Sequence, residues 1–120
     1  MNHRKKGFKL NRTRSHRRAL LRNLATSLIL NGSIKTTEAK AKFLRGFVDG
    51  LFVKALRKDL HARRYLMANL FSKKAVNKVF FEWLKDVSPE KCKRSGYCKI
   101  YKLHWRPGDT ADMAMVKLEV

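Results

Sequence analysis

The chain has 120 residues, of which 44% are hydrophobic, and carries 29 Lys and Arg against 9 Asp and Glu, a formal charge of +20. That length supports one modest core and excludes a second independent domain, while the charge opposes compaction by self-repulsion and favours a polyanionic partner. No apolar run approaches the roughly 20 residues of a bilayer-crossing helix, and the N-terminus lacks the apolar stretch of about 7–15 residues expected of a secretory signal.

Charge divides the chain before hydrophobicity does. Residues 1–37 hold ten basic side chains and no acid, and the first carboxylate is Glu38. Residues 1–13 show no apolar period, only Phe8 and Leu10 among Lys, Arg and Asn. They are expected to form an extended basic arm, because a segment that buries no apolar surface cannot offset its ordering entropy without a partner. The arm offers His3, Arg4, Lys5, Lys6, Lys9 and Arg12 as candidate contacts to nucleic acid. Residues 14–120 are expected to form a single globular domain.

Ser15 is placed to cap a helix from His16 to about Leu30, with Asn31-Gly32 as its left-handed stop. Leu21, Leu24 and Leu28, joined by Leu20 and Ala25, recur at steps of three and four residues and face a core. Arg14, Arg18 and Arg22 recur every four residues on another side, with His16 and Arg17 in the same first turns.

The β-branched stretch from Ser33 to Thr37 reads as a short strand or extended link, and Thr37 is placed to cap a second helix from Glu38 to about Lys58. Its apolar stripe is Leu44, Phe47, Val48, Leu51, Phe52 and Ala55. Gly46 and Gly50 each lower helix propensity by about 1 kcal/mol relative to Ala and allow close helix packing. A third helix is expected from His61 to Phe71, with Tyr65, Leu66 and Leu70 inward and Arg63 and Arg64 outward. A fourth runs from Lys74 to about Lys85 on the stripe Val76, Val79, Phe80, Trp83 and Leu84, ended by Ser88-Pro89.

The period then changes. Residues 97–105 alternate, with Tyr97, Lys99, Tyr101, Leu103 and Trp105 on one side and Cys98, Ile100, Lys102 and His104 on the other. Residues 113–120 alternate similarly, and Pro107-Gly108-Asp109 punctuates the connection. Two antiparallel strands follow, with the 33–37 segment as a possible third. The expected fold class is α/β of the α+β type: about four helices packed on a small sheet of two or three strands.

No convergent set of acid, base and nucleophile stands out, and no phosphate-binding glycine motif is present, so the chain is not expected to be an enzyme. Cys92 and Cys98 have a C-x5-C spacing that is not that of a zinc finger or ribbon, even with His61 and His104 added. No metal, cofactor or small-molecule substrate is expected. Phe43, Phe47, Phe52, Phe80, Phe81 and Trp83 lie at helical spacing and are expected in the core, and Tyr97, Tyr101 and Trp105 are placed there too.

Solvated faces normally mix both signs, so an acid-free stretch of this length points to nucleic acid. Guanidinium forks match phosphate oxygens and stack on exposed bases, and Asn2, Asn11, Thr13 and Ser15 suit threading between backbone segments of a folded RNA. His16, Arg17 and Arg18 also stand where a DNA recognition helix would carry base-reading groups, so a DNA-architectural protein is the alternative. A membrane-surface module would use the first helix as a basic amphipathic helix, but its leucines are needed for the core.

In order along the chain, His3-Arg4, Leu10-Asn11-Arg12, the run from Ser15 to Leu24, Ile34 to Thr37, Lys40 to Lys42, His61 to Arg64, Gly96-Tyr97, Arg106 to Asp109 and Ala111 to Ala114 resemble the pattern of the bacterial large-subunit ribosomal protein L-seventeen family. The resemblance covers nearly the whole length and is stronger in the N-terminal half. It implies helices against a small sheet, binding to large-subunit ribosomal RNA near the peptide exit, contacts with neighbouring large-subunit ribosomal proteins, and residence in the ribosome of the cytoplasm, or of an organelle matrix if organelle-encoded. Carried over residue by residue are His3, Arg4, Arg12, His16, Arg17 and Arg22. Lys35, Lys40, Arg63, Arg64, Lys99 and Arg106 are further basic positions inside or beside the matched segments. Before the strand, family members usually read G-G-Y-T-R, where this chain has Ser95-Gly96-Tyr97-Cys98-Lys99, so Lys99 stands where Arg is typical.

Overall fold

The computed structural model describes residues 9–87 and 95–120. Helix α1 spans Arg14–Asn31 and starts where Thr13, in extended backbone, accepts a hydrogen bond from the amide of His16 at 3.4 Å. The cap is therefore Thr13 and not Ser15, which lies inside the first turn: an N-cap oxygen serves the amide three residues on, and Thr13 has that reach. At the other end Gly32 takes φ +83° and donates its amide to the Leu28 carbonyl at 2.7 Å. That left-handed residue stops the helix as expected and turns the chain into β1, Ser33–Thr37.

The third strand is real, and it lies at an edge. The sheet order is β1-β3-β2, with β2 spanning Cys98–Lys102 and β3 spanning Met113–Leu118. β3 is antiparallel to both neighbours, pairing Ile34 with Val116 on one side and Ile100 with the same Val116 on the other. The central strand buries Ala114, Val116 and Leu118, alternate residues turned to the helices.

Helix α2 spans Glu38–Ala55, three residues shorter than expected, because Lys58 takes φ +52° and leaves the helix. Thr37 precedes it in extended backbone without making a side-chain cap; instead the Glu38 amide donates to the Asp112 carbonyl at 2.9 Å. A tertiary contact thus replaces the expected local one. Gly46 and Gly50 do not serve close helix packing: both are exposed, and a Cβ at either would meet no atom within 4 Å.

Helix α3, Leu60–Asn69, is capped by Asp59, whose carboxylate accepts from the Ala62 amide at 2.7 Å. The expected fourth helix divides into α4, Lys73–Lys78, and a π-helical turn over Val79–Trp83, in which the Leu84 amide donates to the Val79 carbonyl. Five residues of α-helix would separate Val79 and Leu84 by about 140°. The wider turn brings both into the core, where each is essentially fully buried. It also leaves the Trp83 indole donating to the Ile29 carbonyl at 3.1 Å, while Lys78 donates to the Leu30 carbonyl at 2.7 Å. The open C-terminal carbonyls of α1 are satisfied in this way. Ser88-Pro89 and Cys92 lie outside the described residues.

Leu28, Ile29, Leu44, Phe52 and Leu66 fill the space between the helices and sheet. Tyr97 closes one side of it, stacked on Phe52 with ring centroids 5.4 Å apart and its amide donating to Asp49 at 3.1 Å. Three other aromatic expectations fail. Phe81, Tyr101 and Trp105 are exposed, Trp105 at 69%. The inward face of β2 is Cys98 and Ile100, so Tyr101 points away, and the strand ends at Lys102 before Leu103, His104 and Trp105 can follow its alternation.

Candidate nucleic-acid interface

Four-residue spacing puts Arg14, Arg18 and Arg22 along one face of α1, where with Thr13 they line an open concavity of about 600 Å³. Arg14 and Arg18 are exposed. Arg22 is half-buried, its guanidinium 5.9 Å from the ring centroid of Phe71, and its Nε is buried without a hydrogen-bond partner. Phe71 is fixed against α1 by its amide, which donates to Thr26 Oγ1 at 3.3 Å.

Arg12 and Arg17 also bond the backbone. Arg17 donates to the Arg12 carbonyl at 2.9 Å, and Arg12 donates to the Leu10 carbonyl at 2.8 Å. Together with the Arg12 amide on the Lys9 carbonyl they hold a tight turn in which Leu10 and Asn11 both take φ +53°. The described end of the arm, residues 9–13, is therefore turned, not extended, because two arginines satisfy its carbonyls. His3, Arg4, Lys5 and Lys6 lie outside the described residues.

The remaining candidates are dispersed. Lys9, His16, Lys35 and Arg64 are exposed, and Lys40 is half-buried in the first turn of α2. Arg63 donates to Asn77 at 2.7 Å. Lys99 pairs with Glu119 at 2.8 Å, a hydrogen bond that raises the Lys99 pKa and lowers that of Glu119. Arg106 pairs with Asp109 in the β2–β3 connection; this bond, with the Ala111 amide, holds the Asp109 carboxyl down at about 2. Both lie on the sheet side, tied to carboxylates, so the structure does not gather them with the α1 arginines.

Electrostatic contrast defines the site. The six ion pairs among the described residues all join groups at residue 38 or beyond. The cations of α1 form no ion pair among the described residues, so no carboxylate there answers their charge. Phe71, next to that face, was read from the sequence only as the end of a helix. Helical period alone does not reveal that α3 stops at Asn69 and leaves the ring 55% exposed.

Cys98 is a free thiol, buried, and burial pushes its pKa up to about 12. Among the described residues no three His, Cys, Asp or Glu side chains gather in a way that could hold a metal, and no helix is long and apolar enough to cross a membrane.

Comparison with known proteins agrees with the order of motifs. The chain is 47% identical over 120 residues to the large ribosomal subunit protein bL17 of Desulforapulum autotrophicum, covering 98% of this chain and 96% of that one. It is 48% identical to the bL17 of Thermus thermophilus, covering 98% of each. A longer relative, the bL17 of Desulfosudis oleivorans, is 44% identical over 118 residues that make up 55% of its length. The pattern of the family described as Ribosomal protein L17 matches residues 20–119. With a family match over most of its length and relatives of this identity aligned nearly end to end, the chain belongs to the ribosomal protein L17 family.

Proposed function

We propose that the chain is a structural constituent of the large ribosomal subunit, binding ribosomal RNA through its basic N-terminal arm and α1 and stabilising folded RNA near the peptide exit region, alongside neighbouring large-subunit proteins. The family is non-enzymatic. Its relatives named above are large-subunit proteins. The observation that carries the RNA contact is the row of Arg14, Arg18 and Arg22 along one concave face, none of them ion-paired among the described residues. Guanidinium groups so spaced can each take a phosphate bidentately. Arg12 and Arg17 hold the turn at residues 9–13 that precedes that face. Lys99 and Arg106, already paired with carboxylates, add less.

The test is sedimentation of the tagged chain from native lysate, with large and small subunits resolved, over a series of salt concentrations. The chain travels with the large subunit through moderate salt, and the Arg14→Ala/Arg18→Ala variant is released at lower salt. Equal retention of the variant shows that the binding energy lies elsewhere, and release to the top of the gradient with chromosomal DNA favours the DNA-architectural alternative.

A further inference from the structure

We infer that the α1 face continues into a site for one unpaired RNA nucleotide, whose base stacks on Phe71 beside Arg22 while the backbone leading to it runs along Arg18 and Arg14; this rests on the RNA-binding reading above. Phe71 is a large apolar side chain held more than half in solvent by fixed backbone: its amide is bonded to Thr26, and the preceding Leu70 is buried. A recess of about 130 Å³ opens beside it, lined by Met67 and rimmed by Lys73.

Arg22 joins the two features. It lines the α1 concavity, and its guanidinium stands over the Phe71 ring. In cation–π contact with that ring, and with a buried Nε that finds no acceptor, it keeps its outer N–H groups for a ligand. Duplex RNA hides its base faces and offers an exposed ring nothing to stack on, whereas bulged or looped nucleotides present a free π-face. A protein neighbour would suit the ring alone. The surrounding Arg14, Arg18, Lys73 and Lys74, none ion-paired among the described residues, make phosphate the complementary charge.

The experiment uses the full chain and two probes: a fully paired RNA hairpin, and the same hairpin carrying one bulged 2-aminopurine. The unmodified chain binds the bulged hairpin more tightly and quenches its fluorescence. Phe71→Ala abolishes the quench and weakens the bulged hairpin by on the order of tenfold, the scale of one lost base–aromatic stack, leaving the paired hairpin unaffected. Phe71→Trp retains both. Quench and preference surviving in Phe71→Ala, or lost equally in Phe71→Trp, overturn the nucleotide site. If Arg14→Ala/Arg18→Ala still weakens both hairpins in that case, the RNA-binding reading stands alone. Failure of the unmodified chain to bind either hairpin overturns both readings.

Discussion

Three aromatic residues that the sequence treats alike separate in the structure. Tyr97 is essentially fully buried and stacked on Phe52, whereas Tyr101 and Trp105 face solvent. Tyr97→Ala is therefore expected to lose about 3–5 kcal/mol of stability, the range for removing a buried aromatic ring. Trp105→Ala should stay within about 0.5 kcal/mol of the parent, as exposed substitutions do. Urea unfolding of both variants checks the pair; a large loss at Trp105 would mean that the β2–β3 connection packs onto the core. The arginines divide in the same manner. All five between Arg12 and Arg22 look alike as charges, yet the side chains of Arg12 and Arg17 bond backbone carbonyls while Arg14 and Arg18 form no ion pair among the described residues.

At the scale of elements, the helices existed where their stripes indicated, and their ends moved. The apolar periods of α1 and α2 were legible because burial of one face sets them. The cap of α2, its stop and the π turn that divides the expected fourth helix were not, since they depend on groups distant in sequence: Asp112 at the start of α2, Val87 accepting from Lys58 at its end, and α1 carbonyls beside Trp83. The β2–β3 connection has an element-level device in its Arg106–Asp109 pair. Because Asp109 is held down at about 2, against an ordinary value near 4, its folded state favours the ionised form. The stabilisation it gives the loop is complete above the ordinary value and is lost as pH falls through about 2. Carbon-detected NMR titration should find Asp109 still ionised at pH 3, and Arg106→Ala should return its midpoint toward the ordinary range.

For the whole molecule the decisive quantity is where the charge goes unanswered. A net +20 is visible in composition, but two cations of equal formal charge differ in worth when one already holds a carboxylate. Arg14→Ala/Arg18→Ala and Lys99→Gln/Lys102→Gln each remove two charges. The first pair should reduce the slope of log affinity against log salt by roughly 1.5 on a fragment of large-subunit ribosomal RNA, since each phosphate contact contributes about 0.7–0.9. The second pair, whose lysines lie against Glu119 and Glu38, should change it much less. Equal slopes from a salt titration would show that net charge alone drives association.

By itself the sequence determined the helical stripes, the Gly32 stop and the acid-free run of basic residues up to Glu38, because period, glycine conformation and local composition act within a few residues of each other. Tertiary structure alone decided that β3 is the central strand, that Trp105 faces solvent while Tyr97 is buried, and that Phe71 stands beside Arg22. Those outcomes follow from contacts between residues far apart in the chain, such as Ser33 with Lys117, which no local pattern encodes.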